Sequence, residues 1–214
     1  MDIVDYLPTL GEGLVVSLQL TALSVVFGYA LGLVFALGVT SVRPWLRWPA
    51  LVVVEIGRGI PALVVLYIVY FGLPALGVLF ENFVAAVLGL TFTAAAYSSE
   101  VFRAGIQSVP RGQVEASSAL GLPRLTSFVR IVLPQGMRSA IPALMGLAIM
   151  SFQATSLAYS ISVNELMSRA YQMSNITFEY LTVYLITGLI YAAIAVPATW
   201  LSVFVEHRLD RGAV

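Results

Sequence analysis

Two short-range charge pairs and one run of hydroxyl side chains are the residues of this sequence best placed to do chemistry. Glu55 and Arg58 are spaced i, i+3, and Glu100 and Arg103 repeat that spacing. On a helix each pair shares a face and neutralises itself, which lowers the cost of holding charge at a membrane boundary. The hydroxyl run comprises Ser151, Gln153, Thr155, Ser156, Tyr159, Ser160 and Ser162. At 100° per residue these fall within about half of a helix circumference, opposite Ala154, Leu157, Ala158 and Ile161, with Phe152 the exception on the polar side. Such a face can line an aqueous path or hydrogen-bond to a neighbouring helix. Covalent chemistry has less to work with: all 11 basic residues are arginine, cysteine is absent, and the lone His207 follows Glu206 near the C-terminus. These absences remove a Schiff-base lysine, a thiolate nucleophile, a Cys-ligated metal and the lysine of a phosphate-binding loop. No catalytic group, cofactor or metal site is expected, and the net charge of zero gives no basis for a nucleic-acid partner.

The elements that must position these groups are membrane spans. With 59% hydrophobic and only 10% charged residues, the chain is too apolar for an ordinary aqueous surface, and lipid is the expected solvent over much of it. Charge-free stretches cover residues 13–42, 59–80, 82–99, 139–164 and 180–205. Roughly 20 apolar residues cross the hydrocarbon core, so the expectation is an all-α integral membrane protein with five transmembrane helices in a single domain, 1–214. The second span is expected to begin before Arg58, near Pro49, and the fourth to leave the membrane around Ser160. Asp2, Asp5 and Glu12 precede the first apolar run, where a signal peptide would carry positive charge, so that run is kept as a span.

Five spans put the termini on opposite sides, and arginine placement chooses between the two orientations. Arg43 and Arg47 follow the first span; Arg103, Arg111, Arg124, Arg130 and Arg138 lie between the third and fourth; Arg208 and Arg211 follow the fifth. Only Arg169 falls on the other side. The arginine-rich side is therefore expected to be cytoplasmic and the N-terminus outside, leaving Asp2, Asp5, Glu12, Glu81, Glu165 and Glu179 at the outer surface. The segment from Val163 to Thr177 is too polar to span and suits a short external helix. Gly28, Gly32 and Gly38 in the first span suit close helix approach.

Residues 100–138 form the longest connection on the arginine-rich side. Gln113 to Leu120 is free of Gly and Pro and can form about two helical turns, Gly121 sits where a left-handed cap is expected, and Pro123 suits the first turn of a new helix. A helix, tight turn and second helix of this length are too short to be stable alone. The surface of Ala119, Leu120 and Leu122 must be covered by a partner subunit or by the chain's own bundle.

Glu115-Ala116-Ser117, then Gly121, then Ile131-Val132-Leu133-Pro134, resemble the EAA signature of bacterial ABC importer permeases, with Ser117 in place of the second alanine. Arg58-Gly59-Ile60-Pro61, Tyr70-Phe71-Gly72-Leu73-Pro74, Ala96-Tyr97-Ser98-Ser99-Glu100, the run Gly105 to Gln113, Thr155-Ser156-Leu157 and Ile161 to Leu166 resemble the polar amino acid uptake (histidine/glutamine permease-like) subfamily over nearly the whole chain after Leu14. The resemblance implies a type I importer fold in which residues 100–138 carry a cytoplasmic coupling helix between the third and fourth spans. It implies that Arg111, Glu115, Ala116, Ser117, Gly121, Leu122 and Arg124 contact a separate ABC ATPase subunit. It further implies a substrate pathway including Arg58, Tyr97, Ser98, Gln153, Thr155, Ser156 and Glu165. Five helices are few to enclose a path, so a homodimer or a homologous permease subunit is expected, with a solute-binding protein on the outer face and membrane lipid around the rest. The setting so implied is the bacterial inner membrane. Many members carry Lys-Asp before Thr-Ser-Leu where this chain has Gln153-Ala154, which argues against a cationic cargo. The competing reading is an ATP-independent channel or secondary transporter, which would place coupling acids at mid-membrane.

Overall fold

The computed structural model describes residues 3–210, and every element in that range is helical. In chain order these are α1 (Ile3–Val39), α2 (Pro44–Gly59), α3 (Ala62–Tyr67), α4 (Asn82–Gln107), α5 (Arg111–Ala119), α6 (Arg124–Ser127), α7 (Leu133–Ala154), α8 (Leu166–Thr177) and α9 (Tyr180–Asp210). A π turn and a 3-10 turn extend α3 to Leu76, a π turn joins α6 to α7, and a 3-10 segment carries α7 on to Ile161. Four stretches are long and apolar enough to cross a membrane: Tyr6–Val39, Asn82–Gln107, Arg124–Ile161 and Tyr180–Leu209. A fifth is counted when α2 and the stretch Ala62–Leu76, bent by 107° at their junction, are taken together as one broken span.

The second span begins before Arg58, as expected, and the feature that the sequence reading did not include is the break at Pro61. Pro61 has no N–H to donate and disfavours helical geometry in the residue before it. Accordingly Ile60 is extended at φ −94°, ψ 131°, and the chain restarts when the N–H groups of Val64 and Val65 donate to the Pro61 carbonyl at 2.9 and 3.2 Å. The first half begins at Pro44, a little ahead of the expected start near Pro49, and Glu55 and Arg58 lie inside it.

The first span also differs from its expected start at residue 13. Tyr6 and Leu10 are fully buried among Leu166, Ala170, Met173 and Val183, and the Tyr6 hydroxyl donates to Glu179 at 3.0 Å. Packing against α8 and the start of α9 thus extends α1 through Glu12, which accepts from Arg169 at 3.3 Å. Asp2, Arg211 and the side chain of Asp5 lie outside the described residues. As expected, the polar segment after Val163 folds as a short helix, α8.

Helix crossings set the positions of the functional groups. α1 lies along α4, where a Cβ at Gly28 would come within 2.6 Å of Ala94 Cβ and one at Gly32 would strike Ser98. The crossing of α4 and α7 is equally close: a Cβ at Gly136 would stand 2.8 Å from the Ile106 backbone. Only glycine permits that approach, and the two helices leave it as a matched pair carrying α5 and α6 between them.

Candidate functional site

α5 starts on Pro110 and ends where Leu120 donates to the Ala116 carbonyl at 3.1 Å. Gly121 takes φ +73°, and its N–H and that of Leu122 donate to Ser118 and Ser117 carbonyls at 3.0 and 3.1 Å, closing the helix end with a left-handed cap. Pro123 then caps α6, one residue ahead of the first turn. Arg111, Glu115, Ala116, Gly121 and Arg124 are all exposed, and Leu122 is half-buried.

Ser117 is the exception within α5, at 1% exposure. Its hydroxyl lies 2.5 Å from that of Ser127 and donates to the Val114 carbonyl at 2.7 Å, so Ser127 supplies the shared proton. The serine that stands where the signature has alanine therefore stitches α5 to α6. Ser117→Ala is expected to leave the Ser127 hydroxyl buried without its acceptor, at a cost of about 1 kcal/mol, seen as faster proteolysis of the hairpin. Ser117→Ala/Ser127→Ala should recover part of that loss, and a fully additive double variant would sink the pairing. Ser127 was not singled out from sequence, because nothing in a lone serine ten residues away marks it as a partner.

Of the residues grouped as a pathway, Arg58 and Tyr97 border a cavity of about 410 Å3 at the broken span, together with Pro61, Thr93, Ser151 and Ala154. The Tyr97 hydroxyl donates to the Arg58 carbonyl at 3.3 Å, fixing the end of α2 to α4. The others lie elsewhere. Ser98 is fully buried and donates to carbonyls of Ala95 and Gly28 at 3.3 and 3.4 Å, within the α1 contact. Thr155 is fully buried and donates to Phe152 at 2.7 Å, while Ser156 donates to Gln153, whose side chain is exposed. Within α7, Leu147, Met150, Ser151 and Ala154 share one regular helix face and border the cavity, which leaves Gln153 off its wall; from Thr155 the tighter 3-10 winding replaces the 100° step on which the hydroxyl projection rests. The two charge pairs form one chain: Arg58 lies 3.7 Å from Glu55 and 3.8 Å from Glu100, and Glu100 lies 2.6 Å from Arg103.

Glu165 is not a solvated outer acid. It is fully buried and caps α8, accepting from the N–H groups of Met167 and Ser168 at 2.8 Å each. Ser17 on α1 and Tyr191 on α9 donate to it at 3.3 Å, and the Ser17 oxygen also accepts from the Leu166 N–H at 3.2 Å. Burial pushes the carboxyl above its ordinary range, and the hydrogen bonds from Met167, Ser168, Ser17 and Tyr191 oppose that rise. One side chain thereby joins three helices. Among the described residues no cluster of His, Cys, Asp and Glu suits a metal ion.

Comparison with known proteins follows this geometry. The family described as binding-protein-dependent transport system inner membrane component matches residues 28–211. The probable amino-acid ABC transporter permease protein YckA of Bacillus subtilis (strain 168) is 38% identical over 191 residues, covering 89% of this chain and 84% of that protein. The arginine transport system permease protein ArtQ of the same organism is 36% identical, covering 96% of this chain and 94% of its own length, and the L-cystine transport system permease protein TcyL is 37% identical, covering 97% and 90%. A solved structure described as an amino acid ABC transporter with histidines superimposes with a TM-score of 0.91 at 32% identity, covering 96% of both chains. In sequence over nearly its full length and in the shape of its helices, the chain belongs to the family of ABC transporter permeases that form the inner membrane component of binding-protein-dependent transport systems.

Proposed function

We propose that this chain moves a polar amino acid or similar small zwitterion inward across the bacterial cytoplasmic membrane, as the non-catalytic transmembrane subunit of an importer powered by a separate ATPase. The observation that carries the reading is the exposed α5–α6 hairpin. Its Val114, Leu120 and Leu125 side chains face solvent, the last two at 78% and 74%, with the exposed Arg111 and Arg124 on the same hairpin. An apolar strip beside cations on a short, capped helix is a docking surface for another protein, and the relatives similar over nearly the whole chain are permeases of transport systems. In this reading Arg111, Glu115, Ala116, Ser117, Gly121, Leu122 and Arg124 form the coupling element, with Ser117 holding it together from inside.

The remaining assignments follow from the same reading. The α5–α6 side is cytoplasmic and the N-terminus outside, by the excess of arginine. The cavity at the broken span, bordered by Arg58 and Tyr97, is part of the route, and a second permease chain completes the enclosure. A solute-binding protein delivers cargo at the face carrying α8. Relatives include permeases for arginine and for L-cystine; with Ala154 at the cavity wall and Arg58 beside it, a neutral amino acid suits this chain better than a cationic one.

The test is transport by the assembled system. The chain, reconstituted in proteoliposomes with its ATPase and solute-binding protein, is expected to accumulate a labelled neutral amino acid only when ATP is hydrolysed. Uptake that proceeds without ATP would overturn the reading in favour of a channel or secondary transporter.

A further inference from the structure

A second cavity lies on the other side of α7 from the broken span. It measures about 240 Å3 and is bordered by α1 at Leu18 and Thr21, by α7 between Met145 and Phe152, and by α9 between Ile194 and Leu201. Met145, Ala148, Ile149 and Phe152 face it, whereas Leu147, Met150, Ser151 and Ala154 face the cavity at the broken span. At 100° per residue these two sets occupy opposite faces of α7.

Its walls are hydrocarbon. Among the described residues that border it, Thr21 alone carries a hydroxyl, and that hydroxyl already donates to the Ser17 carbonyl at 2.7 Å. A buried water needs roughly two to four polar partners, which one hydroxyl oxygen does not supply. Nor can the helices close the gap themselves. At one end the rings of Phe152 and Tyr191 pack with centroids 5.2 Å apart, and Tyr191 is tied to Glu165 at 3.3 Å. At the other, Ser202 on α9 donates to the Pro142 carbonyl on α7 at 3.1 Å. Between these fixed points the facing side chains are small, Ala148 on α7 against Ala195 and Ala198 on α9, which leaves a slot about 10 Å long at ~1.5 Å per residue. The rim is open to the apolar exterior: Leu18 and Leu201 are 43% and 54% exposed, in line with exposed Val15 and Val26 on α1 and Trp200 and Phe204 on α9.

We infer that this slot is a binding site for the terminal part of a phospholipid acyl chain, which enters from the surrounding bilayer between α1 and α9. Methylene and methyl groups fill it without leaving a donor or acceptor unpaired, and its volume exceeds the roughly 150 Å3 that holds benzene in an apolar protein cavity. The lining residues lie near the middle of the spans Tyr6–Val39, Arg124–Ile161 and Tyr180–Leu209, the depth of chain ends rather than of ester groups. A chain so held supports α7 from behind, opposite the wall that α7 presents to the broken-span cavity. A second permease chain that completes the route there sits over the other face of α7 and leaves the slot to lipid, the one step that rests on the proposed function.

Photolabelling tests this in the assembled transporter, held in nanodiscs of phosphatidylethanolamine and phosphatidylglycerol doped with a phosphatidylcholine that carries a diazirine on its terminal acyl carbon. Peptide mapping is expected to find adducts on half-buried Ile149 and Ile194 at least as abundant as those on exposed Val196, which stands at the same depth on the opposite side of α9. Moving the diazirine next to the ester group should lower labelling of Ile149 and Ile194 several-fold. Ala148→Phe and Ala198→Phe, which fill the slot from different helices, should each do the same with the terminal probe while Val196 keeps its label, a sign that the span is intact. Bare Ile149 and Ile194 beside a labelled Val196 in the unaltered chain would overturn the inference, as a slot closed or covered by a second copy would give. Lining adducts that survive both fillings would overturn it too, by placing the lipid on the outer surface only. The readout is labelling rather than uptake, so it stands or falls independently of the importer reading.

Discussion

Gly121→Val is expected to abolish ATP-driven uptake, lowering it by at least about tenfold, while the spans remain assembled. A Cβ at Gly121 would meet nothing within 4 Å, so the cost is not steric crowding by neighbours. It lies in the backbone: φ is +73°, and a side-chain-bearing residue in that region costs roughly 1–2 kcal/mol, more when branched at Cβ. α5 has nine residues, too few to be stable in isolation, and Ser117 is its one buried side chain. A penalty of that size is therefore comparable to everything holding the hairpin in shape. Asparagine tolerates the left-handed region better than other residues, so Gly121→Asn should fall between glycine and valine in uptake and in ATPase co-purification. Gly188→Ala in α9, where a Cβ also meets nothing within 4 Å, should transport normally. Gly121→Val with undiminished uptake would mean that the hairpin does not transmit the work of the ATPase.

The reason a small turn can matter to a distant cavity is the helix that follows it. α7 leaves the hairpin at Leu133, crosses α4 at Gly136 against Gly105, and borders the cavity with Leu147, Ser151 and Ala154. From Gly136 to Ser151 is about 22 Å of helix at 1.5 Å per residue. A rigid element pivoting at a contact with no spare volume passes a displacement at one end to the other. A flexible connection between Ser108 and Leu133 would absorb it.

Much of this arrangement was legible in the sequence, and the failures share a physical cause. Long charge-free runs marked α1, α4, α7 and α9 because lipid forbids charge along an exposed helix. Gly121 and Pro123 marked the hairpin because their backbone preferences act locally. Features set by contacts between distant segments were not visible in the same way. Arg58 and Glu55 read as a pair neutralising itself, because Glu100, which also lies beside Arg58, is on another helix. The hydroxyls after Ser151 looked like one face because the change of winding at Thr155 leaves the composition unaltered. Ser117 read only as a serine in place of the second alanine, since its partner Ser127 lies on the next helix.

Glu165 is the sharpest of these cases, and its removal should have the largest effect on stability. Glu165→Ala would leave the N–H groups of Met167 and Ser168 and the hydroxyls of Ser17 and Tyr191 without their acceptor at a fully buried position, a loss on the order of 3 kcal/mol or more. Thermal unfolding of the purified chain in detergent measures it; a loss below about 1 kcal/mol would show that the four donors find other partners. The pH dependence has a definite sign. Because burial raises the Glu165 carboxyl in the folded chain, the folded state holds that proton more tightly than the unfolded one, whose carboxyl titrates near ~4.3. The resulting stabilisation is complete below that unfolded value and is lost as pH rises through the raised folded value. Between pH 8 and pH 5 the wild type should therefore gain stability on acidification relative to Glu165→Gln, which cannot titrate at that position. The reverse trend would mean that the two capping N–H groups, which favour the charged form, outweigh burial. Sequence alone offers no route to this result, because a glutamate before a polar stretch reads as solvated until Ser17 and Tyr191, 148 and 26 residues away, close over it.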